Sequence, residues 1–251
     1  MIYGLWQSAA GMQTNLLLHD VEANNLANVD TVGFKRQMGV LTQRPAPTDE
    51  RGSPRHSLAS LAALGTQSWP GPTVTDFSAG TTQTSGNPLD VALVGRGFLC
   101  VRGRDGVAYT RDGRLQMARD GRLVTATGGR EVLDAGGRSI TLNPTAGKVR
   151  IAPDGTIRQG GDAVARLGVV DFPDLQRLRR TGGGLFDAEG QTPRPAAAQV
   201  RQYALESSGV EPTRSIVSLI EVMRAYQLNA QMIHMQDGML GRAVNDIGRV
   251  A

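Results

Sequence analysis

From Leu5 onward the apolar positions of the chain step by four and three: Leu5, Ala9, Met12, Leu16, then His19, Ala23 and Leu26. That spacing lays them along one stripe of a helix, a coiled-coil seam sustained for about three heptads with His19 as its one polar intruder. Gly4 and Gly11 weaken the helix, each by up to about 1 kcal/mol relative to Ala, so the segment is expected to need a partner. The far end repeats the pattern. Pro212 is placed to open a helix, because the amide hydrogen it lacks would have no intrahelical acceptor there. After it come Leu219, Val222, Tyr226, Asn229, Ile233, Gln236, Leu240, Ala243, Ile247 and Val250 in steps of three and four. Such a helix is roughly 55 Å long at about 1.5 Å per residue, too long to stay inside a compact domain. Flanking Ile216, Ile220, Met223, Ala230, Met232 and Met239 widen its apolar face beyond what one partner helix covers. Asn229 and Gln236 on the seam cost stability and fix register.

Between these ends the period changes. Strand-like runs occur at Leu89 to Val94, Gly97 to Val101, Val107 to Thr110, Leu123 to Thr125, Val149 to Ile151 and Arg166 to Phe172. Asp-Gly pairs at 105–106, 112–113, 120–121 and 154–155 supply hairpin turns, since both residues tolerate positive φ. The expected fold is therefore α+β, mainly β, and elongated: the terminal helices pair as a coiled-coil-like stem and an antiparallel β domain lies between them. The division reads 1–40 for the first helix and the segment after it, 41–74 for a Pro-rich linker, 75–205 for the β domain and 206–251 for the last helix. In the linker Leu58, Leu61 and Leu64 suggest a short helical turn.

Composition narrows the chemistry. Of the 251 residues 40% are hydrophobic but only 4% aromatic, so the core is expected to be built mainly from Val, Leu, Ile, Ala and Met. A net charge of +4 is mild, and arginines are scattered, densest at Arg177, Arg179 and Arg180. A nucleic-acid binder gathers its charge into a stripe beside stacking aromatics, so no nucleic-acid partner is expected; a basic binding module is kept as the rival of another class. Cys100 is the single cysteine and sits in an apolar run, which suits a small buried hydrophobe. His19, His56 and His234 have no neighbouring ligands at metal-site spacing, and the Gly-rich stretches lack a phosphate loop's Lys-Ser/Thr. No catalytic residue, metal, cofactor or small-molecule substrate is expected. The start lacks a secretory leader's features, and no run reaches the roughly 18 apolar residues of a membrane span.

The stretch from Ala23 through Asn24, Asn25, Leu26, Ala27, Asn28, Val29, Asp30, Thr31, Val32, Gly33 and Phe34 to Lys35 resembles the N-terminal signature of the axial family of flagellar rod and hook proteins. Locally it reads as a helix end, with Asn28 suited to a left-handed cap and Gly33 to a tight turn. Adjacent Asn24 and Asn25 are poor helix formers and make sense if their amides bond neighbouring helices or chains. Thr84 to Leu93, Gly95 to Phe98 and Tyr109 to Gly113 are similar to the start of the family's β domain. Leu205 to Val210 and Ile220 to Tyr226 are similar to its C-terminal block. Length and the segment Thr73 to Ser78 place the chain nearest the proximal-rod members, with a distal-rod or hook protein of the same family as the alternative. Glu22, His19 and Cys100 depart from the family's more apolar choices.

The resemblance implies a structural subunit of the basal-body rod that self-assembles through its terminal helices and transmits torque. It implies export by the flagellar type III apparatus without signal cleavage, residence in the periplasmic rod, and contacts with other copies and neighbouring rod proteins. The expected assembly interface comprises Leu5, Met12, Leu16, Asn24, Asn25, Leu26, Asn28, Gly33, Phe34, Leu219, Val222, Tyr226, Asn229, Ile233, Leu240 and Ile247.

Overall fold

The computed structural model describes residues 2–44, 67–104 and 106–247. Helix α1 runs Ile2–Ala27 and helix α2 Pro212–Ile247; the second begins on the proline that sequence marks as its opener. At 36 residues α2 is about 54 Å long. Among the described residues seventeen short strands lie between the helices, and the chain divides into two compact units.

One unit joins the two helices to a two-stranded sheet of β1 (Gln37–Arg44) and β2 (Gln67–Thr75). The ends of the segment read as a Pro-rich linker are thus strands. Pro70 and Pro72 fit in β2 because a two-stranded sheet has only edges, where a missing donor is tolerated. The suggested turn around Leu58, Leu61 and Leu64 lies outside the described residues.

The other unit holds 28–36 with 75–104 and 106–211, and all its strand pairs are antiparallel. The short piece 28–36, grouped with the first helix on the sequence, clusters here instead. The largest sheet has six strands, ordered β13 (Arg179–Gly182), β14 (Leu185–Asp187), β6 (Val107–Thr110), β5 (Phe98–Arg102), β12 (Val169–Asp171) and β15 (Arg194–Pro195). Central β5 is buried on both faces. Its odd positions, Leu99 and Val101, enter an aliphatic core with Leu115, Leu123, Val132, Ile140 and Ile157. Its even positions, Phe98 and Cys100, enter a second core with Tyr109, Phe172 and Phe186. With Phe77 packed alongside, the second core gathers four of the five phenylalanines, so the few rings are concentrated in one part of a core expected to be mainly aliphatic.

Two turn expectations hold, while one turn and one strand reading change. Asp120-Gly121 joins β7 (Leu115–Met117) to β8 (Leu123–Thr125), and Asp154-Gly155 joins β9 (Val149–Ile151) to β10 (Thr156–Gln159), each glycine at φ 83°. Asp112-Gly113 is not a hairpin turn. The Asp112 carboxylate holds Arg114, and Gly113 is pressed against β4 (Val91–Val94), where Val91 N–H donates to its carbonyl. The run Arg166 to Phe172 is not one strand: it is divided between β11 (Asp162–Arg166) and β12. Gly168 sits between them with its backbone wedged against the Leu133 and Asp134 carbonyls.

Candidate functional site

Helices α1 and α2 lie against each other. On α2 the predicted stripe is the inward one: Leu219, Val222, Tyr226, Asn229, Ile233, Gln236 and Leu240 are half-buried, while Ile216, Ile220, Met223, Met232 and Met239 beside them are exposed. Ile247 closes the helix backbone. On α1 the inward face differs from the seam drawn on the sequence. Ser8, Ala10, Thr14, Val21 and Asn25 are the buried residues; Leu5, Met12 and Leu26 are half-buried, and Leu16 is 53% exposed. The reason is steric. A Cβ added at Gly4 would stand 2.8 Å from Gln236 Nε2, and one at Gly11 would stand 3.0 Å from Asn229 Nδ2. The two glycines that weaken α1 by propensity are thus the floor on which the α2 amides rest. Trp6 joins Leu16 outside, and Leu18 packs over Gly39 of β1.

The signature after α1 proves to be largely an intrachain clasp. Asn25 is 1% exposed and pairs both halves of its amide with the Gln37 backbone, donating to O and accepting from N–H at 2.8 Å each. Its amide is committed within the chain, which explains one of the two awkward asparagines; Asn24 is exposed. Asn28 does not take the left-handed cap assigned to it. Its carbonyl accepts Thr31 N–H at 3.1 Å in an ordinary turn, and the positive φ falls on Gly33, at 67°. A Cβ there would meet the Arg111 carbonyl at 2.4 Å, so only glycine fits. Phe34 is buried under the Arg180 guanidinium, 4.8 Å from its ring centroid.

Lys35, at 1% exposure, ends the clasp in a buried ion cluster. Its Nζ donates to Glu206 Oε1 at 2.6 Å and to the Ser78 carbonyl at 2.7 Å. Glu206 also accepts from Arg111 Nη1 at 3.1 Å and from Gly80 N–H at 2.9 Å. Arg111 extends to the Leu93 and Gly95 carbonyls and lies over the Phe98 ring. Burial pulls the Lys35 ammonium below its ordinary value; Glu206 opposes this and the Arg111 charge adds to it. Each of the three residues comes from a different sequence block singled out above, and the fold ties all three into one knot. Tyr203, at φ 58°, turns the chain between β16 (Gln199–Gln202), on β4, and β17 (Ala204–Glu206), on β3 (Thr82–Thr84). A tyrosine gives no sequence signal for that conformation.

A surface groove of about 520 Å³ is lined by Asp134 and Asp154 among others. Backbone N–H donors from Arg138 and Gly136 hold Asp134 below the usual carboxylate range, and the Thr156 hydroxyl and N–H do the same for Asp154. A general acid needs the opposite shift. Burial pushes the Cys100 thiol up to about 11, away from a nucleophile's range. No group of three or more potential metal ligands occurs among the described residues, and none of their helices is long and apolar enough to cross a membrane.

Three family models match in chain order: the flagella basal body rod protein model over residues 8–35, the flagellar hook protein FlgE/F/G D1 domain over 92–159, and the flagellar basal body rod FlgEFG protein C-terminal model over 201–246. A flagellar basal-body rod protein FlgF from Caulobacter vibrioides is 35% identical over 236 residues, covering 92% of each chain. FlgF from Salmonella typhimurium is 32% identical over 259 residues and 97% of each. A FlgG from Buchnera aphidicola is 31% identical over 261 residues, 96% of this chain and 98% of the relative. Matches that run from the first helix through the knot of Lys35, Arg111 and Glu206 to the last helix leave one conclusion: the chain belongs to the flagellar basal-body rod protein family, among its FlgF-like members.

Proposed function

We propose that this structural subunit of the flagellar rod pairs its first and last helices as a coiled-coil-like stem, and that the apolar positions left outside the pair join it to other copies and to neighbouring rod proteins. The observation that carries this reading is the asymmetry of α2. Its seam is half-buried against α1, yet Ile216, Ile220, Met223, Met232 and Met239 remain exposed, Ile220 at 46%. Apolar surface left in water gains about 25 cal/mol per Å² once a neighbour covers it, so a free subunit carries an unspent driving force for association. Trp6 and Leu16 add to it from α1. Of the interface residues named from sequence, Leu16 and Asn24 are exposed and stay in the proposed contact with neighbours; Leu219, Val222, Tyr226, Asn229, Ile233 and Leu240 serve the stem. Asn25, Gly33 and Phe34 serve the clasp.

In this reading the subunit passes the type III export apparatus without signal cleavage, and packed stems carry torque along the rod. The test uses a strain lacking the native gene. Ile220→Asp and Met232→Asp are each expected to abolish incorporation into purified basal bodies, as read by immunoblot, while circular dichroism of the purified variants matches wild type. Normal incorporation of both variants would overturn the proposal.

A further inference from the structure

We infer that Asn229 and Gln236, seated on Gly11 and Gly4, are the residues that select which face of α1 receives α2. Hydrophobic attraction is non-directional, and α2 is apolar over a face wider than one partner covers. On that ground alone it would settle as well on the Leu5, Met12 and Leu16 stripe, or on the helix of another copy. The amides remove the ambiguity. They are seven residues apart on α2, their seats are seven apart on α1, and each pair sums to 240, as one fixed antiparallel register requires.

The seats work by absence. With a Cβ at Gly11, the Asn229 Nδ2, Oδ1 and Cγ atoms would lie 3.0 to 3.2 Å away, tighter than ordinary contact. Asn229 donates to Ala225 O of its own helix at 3.1 Å, and what Gly11 of α1 supplies is room for the amide. Gln236 Oε1 is buried with no hydrogen-bond partner among the described residues, a cost a leucine would avoid. Polar residues on a seam narrow the choice of partner and register at the expense of stability. Directing α2 onto the small, glycine-bearing face is what leaves Leu16 and Trp6 outward. The inference rests on the pairing of α1 with α2, not on what the exposed faces bind.

The test is amide hydrogen exchange on the isolated full-length chain, which stands apart from any result on rod incorporation. Gly11→Leu is expected to lower protection of the α1 amides at least tenfold while β5 and β6 amides keep theirs as an internal control. In an Asn229→Ala background the same Gly11→Leu change is expected to leave α1 protection unchanged or raised. Gly4→Leu with and without Gln236→Ala should follow the same pattern. Gln13→Leu, which puts the same leucine side chain at an exposed α1 position, should stay within threefold of wild type. Equal losses in both backgrounds, no loss in either, or an α1 unprotected in the wild-type chain would each overturn the inference.

Discussion

Replacing Glu206 by Gln removes the one anion that Lys35 and Arg111 share while leaving shape and volume almost intact. The side chains of Lys35 and Arg111 are 1% and 4% exposed, so neither cation recovers water when its partner is neutralised. Breaking a buried pair in this way costs about 3–5 kcal/mol, and with two cations on one carboxylate the upper half of that range is expected. Lys35→Met is the informative comparison. It leaves Arg111 and Glu206 as a balanced pair, removes the ammonium that burial already disfavours, and fills the space with a chain of similar volume. Its main loss is the donor to the Ser78 carbonyl, worth about 1–3 kcal/mol. Amide exchange of β5 and β6, in the regime where protection follows the opening equilibrium, reads both costs. Protection should fall by about 10³ to 10⁴ for Glu206→Gln and by roughly 10 to 10² for Lys35→Met. A Glu206→Gln loss equal to or smaller than the Lys35→Met loss would refute the assignment of Glu206 as the shared counter-charge.

Asn25→Ala strips two 2.8 Å bonds from a buried backbone pair at Gln37, and should cost about 2–4 kcal/mol of local stability, seen as faster amide exchange in β1 and the last turns of α1. Gly33→Ala combines a positive φ with a 2.4 Å approach to the Arg111 carbonyl; thermal melts of the variant should lie well below wild type, more than 5 °C lower for a loss of about 2 kcal/mol or more. Cys100 gives a pH dependence of known sign. Its folded value near 11 lies above the ordinary 9.0, so between the two the unfolded chain has shed a proton that the native chain keeps, and stability falls as pH rises. Urea midpoints of wild type should drop between pH 9 and 11 by an extra amount equivalent to about 1–3 kcal/mol over Cys100→Ala; parallel curves would remove burial of the thiol as the cause.

What the sequence settled by itself was local and periodic. Steps of three and four marked both terminal helices, and Pro212 marked the start of the second, because helix geometry repeats over a few residues. Asp120-Gly121 and Asp154-Gly155 marked hairpins because both residues tolerate the turn's conformation, whereas the same pair at Asp112-Gly113 was claimed by contacts with Val91 and Arg114. Three signature blocks were also visible in order, although their purpose was not. Lys35 and Glu206 stand 171 positions apart and Arg111 lies 95 from Glu206, so nothing in the spacing says that they form one knot. The inward face of α1 was hidden for a related reason. Apolar periodicity favoured Leu5, Met12 and Leu16, but which stripe turns inward depends on what the partner helix brings, and α2 brings two amides that need glycine beneath them. Periodicity is written along one chain segment; burial is decided between segments, and only their meeting in space chose the face, the register and the charges that had to be matched.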